Sequence, residues 1–228
     1  MQTRFRLSLK NRKISCRVFR FIAWATVFAV TSTACHNLPE NLRELYLPNK
    51  EHWTLLSPTD FGGKLDTVQK LSAEFNGQTA VMLMQLEIDK NSVRLAMLNP
   101  TMISLFSLED NGEQIVTTRS PMIPDKIDPK YVLADIQLSY WPLAVLTPSL
   151  RRSGLNLTEV STTTGKSRSL TNNNGEELVR IDYVIQSYPG PVAQELLQTV
   201  YFENFVWHYH YHIDTVSWDL QRDSEALH

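Results

Sequence analysis

From Leu65 almost to the end of the chain, apolar and polar residues alternate with a period of two, and a stretch of helical period breaks that alternation once, in mid-sequence. Period two puts alternate side chains on opposite faces of a strand, so the pattern describes strands with one buried face. Lys70–Phe75 predicts a strand, and Asn76-Gly77 after it is a strong hairpin signal. Thr79–Asp89 follows with Ala80, Met82, Met84, Leu86 and Ile88 on one face. Val81 and Leu83 lie among polar residues on the other. Lys90-Asn91 turns the chain, and Val93, Leu95 and Met97 then share a face. Asn99-Pro100 turns it again. Met102–Leu108 and Gln114–Thr118 complete a meander around Asp110-Asn111-Gly112.

In mid-chain Asp128 is a helix cap, and Pro129 stands at the first helical position. Val132, Leu133, Ile136 and Tyr140 recur at three- and four-residue spacing, which predicts a helix over 131–140. Pro142 ends it and opens a second helix through Leu143 and Leu146 toward Leu150, with Gly154 as the stop. Strands resume at 155–160, 167–171 and 177–185. Residues 196–203 read as a strand, although 192–198 also carry a helical pattern. A long last strand is expected over 207–218. A single sheet must cover its apolar face. The expected fold is therefore mainly β: a curved antiparallel sheet, a half-barrel, closed by the mid-sequence helices over an apolar cavity.

The first 34 residues differ in kind. Seven of the 22 Lys and Arg lie there, none of the 24 Asp and Glu does, and the apolar run Phe21–Val30 follows the basic part. That order is a secretory signal peptide, and the run is shorter than the roughly 20 apolar residues of a spanning helix. Ser32 and Ala34 suit ordinary cleavage. Ser32-Thr33-Ala34-Cys35 also resembles a bacterial lipobox, with Ser32 where that pattern prefers Leu. Once Cys16 leaves with the signal, Cys35 has no disulfide partner, and acylation would remove a free thiol from an oxidising compartment. The expected organisation is a signal over 1–34, a lipidated tether over 35–58 with Pro39, Pro48 and Pro58 interrupting any long helix, and one domain over 59–228. Residue 36 is His rather than Asp, which by general bacterial sorting rules favours the outer membrane. The residues from Cys35 on carry 15 Lys and Arg against 24 Asp and Glu, a formal charge of −9. This argues against nucleic acid as a partner and against docking to anionic lipid heads by charge. Membrane attachment is expected through the lipid on Cys35 instead.

Three groups are candidates for chemistry. Met82, Met84, Leu86, Leu95, Met97, Met102 and Phe106 read either as core filler or as the lining of a lipid cavity, a use to which adaptable thioethers are suited. Tyr140, Trp141 and Leu143, around the Pro142 break, read either as a helix break packed on the sheet or as a lid over the cavity mouth. His208, His210 and His212 would share one face of a strand, a weak candidate for zinc or copper. G-x-S-x-G, H-E-x-x-H and phosphate-binding glycine loops are absent, Asp125, Asp128 and Asp135 read as loop and cap residues, and no enzyme or cofactor is expected.

Cys35, Gln85-Leu86-Glu87-Ile88, Asp135-Ile136-Gln137-Leu138-Ser139-Tyr140-Trp141-Pro142-Leu143, Leu178-Val179-Arg180-Ile181-Asp182-Tyr183 and Tyr211-His212-Ile213-Asp214-Thr215 occur in that order. Together they resemble the proteobacterial lipoproteins encoded beside aryl-polyene biosynthesis enzymes, a family similar in fold to the lipoprotein carrier LolA and the outer-membrane receptor LolB. The resemblance implies a half-barrel over an apolar cavity that takes acyl chains, and a cell-envelope role. The expected function is a periplasm-facing, outer-membrane lipoprotein that binds or transfers a lipid, with an acyl or polyene chain as partner. The alternative is a structural or assembly lipoprotein that binds a protein partner in an envelope complex.

Overall fold

The computed structural model describes residues 43–47, 51–75, 78–121, 128–188 and 194–223. The signal segment, Cys35 and the Asn76-Gly77 turn lie outside these residues. Two short strands, β1 (Glu44–Tyr46) and β2 (His52–Thr54), pair with each other. Ten further strands form one antiparallel sheet: β3 (Gly63–Phe75), β4 (Gln78–Ile88), β5 (Val93–Leu98), β6 (Ser104–Asp110), β7 (Ile115–Arg119), β8 (Leu155–Ser161), β9 (Gly165–Asn172), β10 (Glu177–Tyr188), β11 (Gln194–Asn204) and β12 (Tyr209–Arg222). Their order is β7-β6-β5-β4-β3-β12-β11-β10-β9-β8, so two five-strand meanders join where β3 pairs with β12. Helices α1 (Pro129–Tyr140) and α2 (Leu143–Arg152) carry the chain from the edge strand β7 to the opposite edge strand β8. This is the expected curved antiparallel sheet with a helical cover, and it remains open at its two edges.

Asx side chains fix the turns between strands. Asp89, Asn99, Asn111, Asn172 and Asn204 each accept backbone N–H groups two to four residues ahead, at 2.7–3.0 Å. These bonds hold the backbone in a turn without help from distant chain. Asp128 caps α1 by accepting from the Lys130 N–H at 2.9 Å, with Pro129 behind it. Gly154, at φ 74°, ends α2 in the left-handed region.

The helices cover the sheet face formed by the alternate residues Leu65, Leu71, Met84, Leu86, Leu95, Phe106, Val200, Phe202, Ile181 and Leu170. From their side they add Leu133, Ile136, Leu146 and Leu150. Residues expected in the tether are built into the same core from position 43 on: Leu45, Trp53 and Leu55 are buried there. Trp53 donates to Ser149 Oγ at 3.1 Å, and Gln137 brackets Leu56, donating to its carbonyl at 2.7 Å and accepting its N–H at 2.8 Å. Arg43 pairs with the fully buried Asp110 at 2.5 Å. The prolines spoil helix but not short strands, which is why this stretch reads as linker and folds as β1 and β2.

Two elements start later than the pattern predicts. Strand β6 begins at Ser104 rather than Met102, because Asn99 clamps the turn and sets Met102 at φ 64°. Strand β12 begins at Tyr209 rather than Trp207, because His208 occupies the β11–β12 turn at φ 54°. The ambiguous stretch after residue 192 is strand from Gln194 on.

Candidate functional site

Strand β11 pairs with β12 only along Thr199–Asn204 against Tyr209–Asp214. Beyond that level, residues 194–198 ladder with β10 alone and residues 215–222 with β3 alone. Each strand bulges as it departs, β11 at Gln198 opposite Val184 and Ile185, and β12 at Val216 opposite Val68 and Gln69. A bulge bends its strand and sharpens the twist. The wall of the sheet therefore splits into a seam at the end where the chain passes from α1 to α2.

After the bulge, Trp218, Leu220 and Arg222 alternate opposite Thr67, Leu65 and Gly63, on the helix-facing side. Trp218 is half-buried, 6.1 Å from the Tyr140 ring, and Leu220 is 36% exposed. Across the seam, Leu197 and Ile185 are half-buried cross-strand neighbours packed against the core, as is Leu143 at the start of α2. One edge of the seam thus runs from aromatic to aliphatic to cationic toward the end of the sheet.

A cationic group stands at the same end. Arg168, on β9, is buried and donates to the carbonyls of Leu138, Ser139 and Trp141 at 2.7, 3.5 and 3.1 Å. It serves as the C-terminal cap of α1, where a cation also complements the helix dipole. Tyr183 donates to Ser139 O at 2.8 Å beside it. Glu159 accepts from Arg168 at 2.6 Å and lies 3.2 Å from Lys166 Nζ. Burial works against the Glu159 charge, but the Arg168 hydrogen bond and both cations outweigh it, so the carboxyl sits below its ordinary range. Arg222 donates to Phe61 O at 2.8 Å and lies 4.4 Å above the Phe61 ring.

The sequence candidates fall into different places. Met84, Leu86, Leu95 and Phe106 are buried core residues, and Met82 and Met97 are half-buried against the same core. Met102 is 62% exposed in its turn and so does not face the helices. Trp141 is fully buried, its ring 5.1 Å from Phe61 in an edge-to-face contact. Tyr140 is also buried and donates to Gln69 at 3.0 Å. Both are plugs in the interior, and of the three residues expected to form a lid only Leu143 is half-buried. The hollow predicted between sheet and helices is occupied by these side chains at the α1–α2 elbow. An open hollow of about 640 Å³ lies instead on α2, along Leu143, Ala144, Thr147, Pro148, Arg151 and Arg152. His210 and His212 stand on β12, His212 on the side away from the helices beside Tyr201, while His208 is in the turn. The three histidines therefore do not share a strand face, and among the described residues no group of three or more His, Cys, Asp or Glu is placed to hold a metal ion.

Asp135, which the sequence pattern puts among loop and cap residues, lies in the middle of α1. There its carboxylate accepts from Tyr209 at 2.7 Å and from Tyr211 at 3.5 Å. Both rings stack with Phe202, with centroids 6.1 and 4.8 Å away. Burial pushes the Asp135 carboxyl up to about 7, against the lowering effect of the two tyrosine hydrogen bonds. The period-two pattern of Tyr209 and Tyr211 is visible in the sequence, but nothing local pairs them with an acid whose separation from Tyr209 is 74 residues.

Sheet, helical cover and seam define a helix-covered antiparallel β protein with a split wall. Residues 66–217, well over half the chain, match the family described as protein of unknown function (DUF3261), and the chain belongs to that family. Among curated proteins none matches it. Two solved structures are similar at low identity. One is a candidate outer membrane lipoprotein-sorting protein domain from Vibrio parahaemolyticus, with TM-score 0.40, 9% identity and 72% of this chain covered against 88% of that one. The other is a DUF1329 family protein from Desulfovibrio piger, with TM-score 0.37, 7% identity and 73% against 88% covered. At these scores the architecture stands on the chain's own strand order. Among the described residues no helix is long and apolar enough to cross a membrane.

Proposed function

We propose that this chain is a periplasm-facing lipoprotein of the outer membrane, anchored through Cys35, that binds or transfers a lipid or other amphiphile without turning it over. The seam carries this reading: a sheet that stops pairing between β11 and β12 leaves Leu197, Ile185, Trp218 and Leu220 half-buried or exposed beside an end-on cation. Apolar burial there stabilises a bound chain at about 25 cal/mol per Å² removed from water. An acyl or aryl-polyene chain is the finer form of the proposal. Its entry point is the seam rather than the Met82–Met97 face.

The test is organic extraction of the purified protein followed by mass spectrometry. The wild type should release near-stoichiometric lipid, and Leu220→Glu should release less than about a tenth as much, since a carboxylate placed in an apolar site is strongly disfavoured. A wild type that yields no lipid, or a variant that yields the same amount, refutes the reading. One observation favours a second reading, a tethered scaffold for an envelope protein: Trp141, Phe61 and Tyr140 fill the space that a deep carrier cavity would need. Under that reading the extract is empty and a protein partner co-purifies after cross-linking.

A further inference from the structure

We infer that the seam selects an amphiphile whose head is anionic, a phosphate or carboxylate on an apolar chain, with Arg222 as the group that holds it. This rests on the amphiphile reading above and adds the chemistry of the head.

Arg222 closes the row Trp218, Leu220, Arg222, which passes from apolar to cationic toward the end of the seam. Its partners among the described residues are the Phe61 carbonyl and the Phe61 ring, neither of which neutralises a charge. Burial, and behind it the positive charge of Arg168, both work against the Arg222 cation, and no carboxylate among the described residues offsets them. Glu159 already faces Arg168 and Lys166. The Arg222 side chain is exposed at the end of the row, lies against Phe61 and has no carboxylate paired with it among the described residues, so an anionic head whose chain lies along the seam can reach it. A second unsatisfied group lies close by. The Trp141 indole N–H is buried with no hydrogen-bond partner, in the ring that packs on Phe61 from which Arg222 is anchored. Natural interiors rarely leave such a donor orphaned. A guanidinium presents several donors in a planar fork that suits phosphate and carboxylate. A neutral head would leave that charge unpaired.

Calorimetric titration of the purified protein with dodecyl phosphate, dodecyl maltoside and inorganic phosphate, each amphiphile below its micelle concentration, tests this. Dodecyl phosphate should bind about tenfold more tightly than the maltoside of equal chain length, the size expected of a charge-assisted hydrogen bond. Inorganic phosphate should bind far more weakly than either. Arg222→Gln should erase the preference and leave maltoside affinity within about twofold, while Arg222→Lys, which keeps the charge but loses the fork, should retain part of it. Equal affinities of the wild type for the two amphiphiles overturn the anionic head and leave the amphiphile reading standing. Inorganic phosphate binding as tightly as dodecyl phosphate overturns the inference in favour of a free-anion site. Failure of both amphiphiles to bind overturns the underlying reading and this inference with it. The comparison of ligands on the wild type decides even if a variant does not fold.

Discussion

Replacing Asp135 by asparagine should remove a specific piece of pH dependence from the stability of the protein. Asp135 ordinarily titrates at 3.8, and burial between α1 and the β12 tyrosines moves it to about 7. Its folded pKa is thus above its unfolded one. The contribution is fully present below about pH 4, where the carboxyl is protonated in both states. It is lost as pH rises from about 4 to about 7, because the unfolded chain releases the proton more easily, and it is flat beyond. At 1.36 kcal/mol per pH unit the interval is worth about 4 kcal/mol at most. The amide introduced by Asp135→Asn cannot ionise and still offers an oxygen to Tyr209. The stability of the variant relative to wild type, from urea unfolding at pH 4.5, 6 and 8, should therefore climb with pH by several kcal/mol and level off above about 7. Taking the difference between the two proteins cancels every other titrating group that they share. Parallel stability curves would mean that the carboxyl is solvated and the α1–β12 contact has been misread.

Tyr209→Phe deletes the 2.7 Å hydrogen bond that lowers the Asp135 pKa, so NMR titration of the Asp135 carboxyl should show its midpoint rise further; an unchanged midpoint would remove Tyr209 from the account. Arg43→Ala leaves Asp110 buried without its ion pair and should cost about 3–5 kcal/mol, read as a fall in the urea midpoint. Trp141→Ala empties a fully buried site and should cost about 3–5 kcal/mol in the same assay. Gly154→Ala forces a Cβ at φ 74°, 2.8 Å from Asn173 Nδ2, and should cost on the order of 1 kcal/mol, measurable as a lower Tm.

Local signals carried most of the strand list. Asp128, Pro129, Pro142 and Gly154 bound the two helices within a residue or two, and the Asx residues marked turns whose side chains then proved to hold them. Readings failed where the deciding partner lay far along the chain. Leu45 and Trp53 looked like tether because α1 and α2, which bury them, come about 80 or more residues later. Met102 looked like the start of a strand because the pattern gives no sign that Asn99 will hold the backbone left-handed. The seam was illegible altogether, since Leu196–Glu203 and the last strand both read as ordinary strands. Nothing in either says where their mutual ladder stops. Arg168 and Asp135 were missed for the same reason: a single charged residue in a strand or helix pattern reads as solvent-facing until its neighbours are known.

The pairing of β3 with β12 has a consequence for biogenesis. The strand that opens the sheet pairs with β4 at once but finds its second neighbour only in the last stretch of the chain, roughly 150 residues on. A polypeptide threading outward from its N-terminus must therefore keep the flank of β3 unmatched until the final segment emerges. Long-range pairings of this kind form slowly, and waiting edges invite other chains. Premature stop codons within β12 should thus produce sticky, protease-prone material rather than a slightly shortened molecule, and a holdase chaperone would have its contact site along β3.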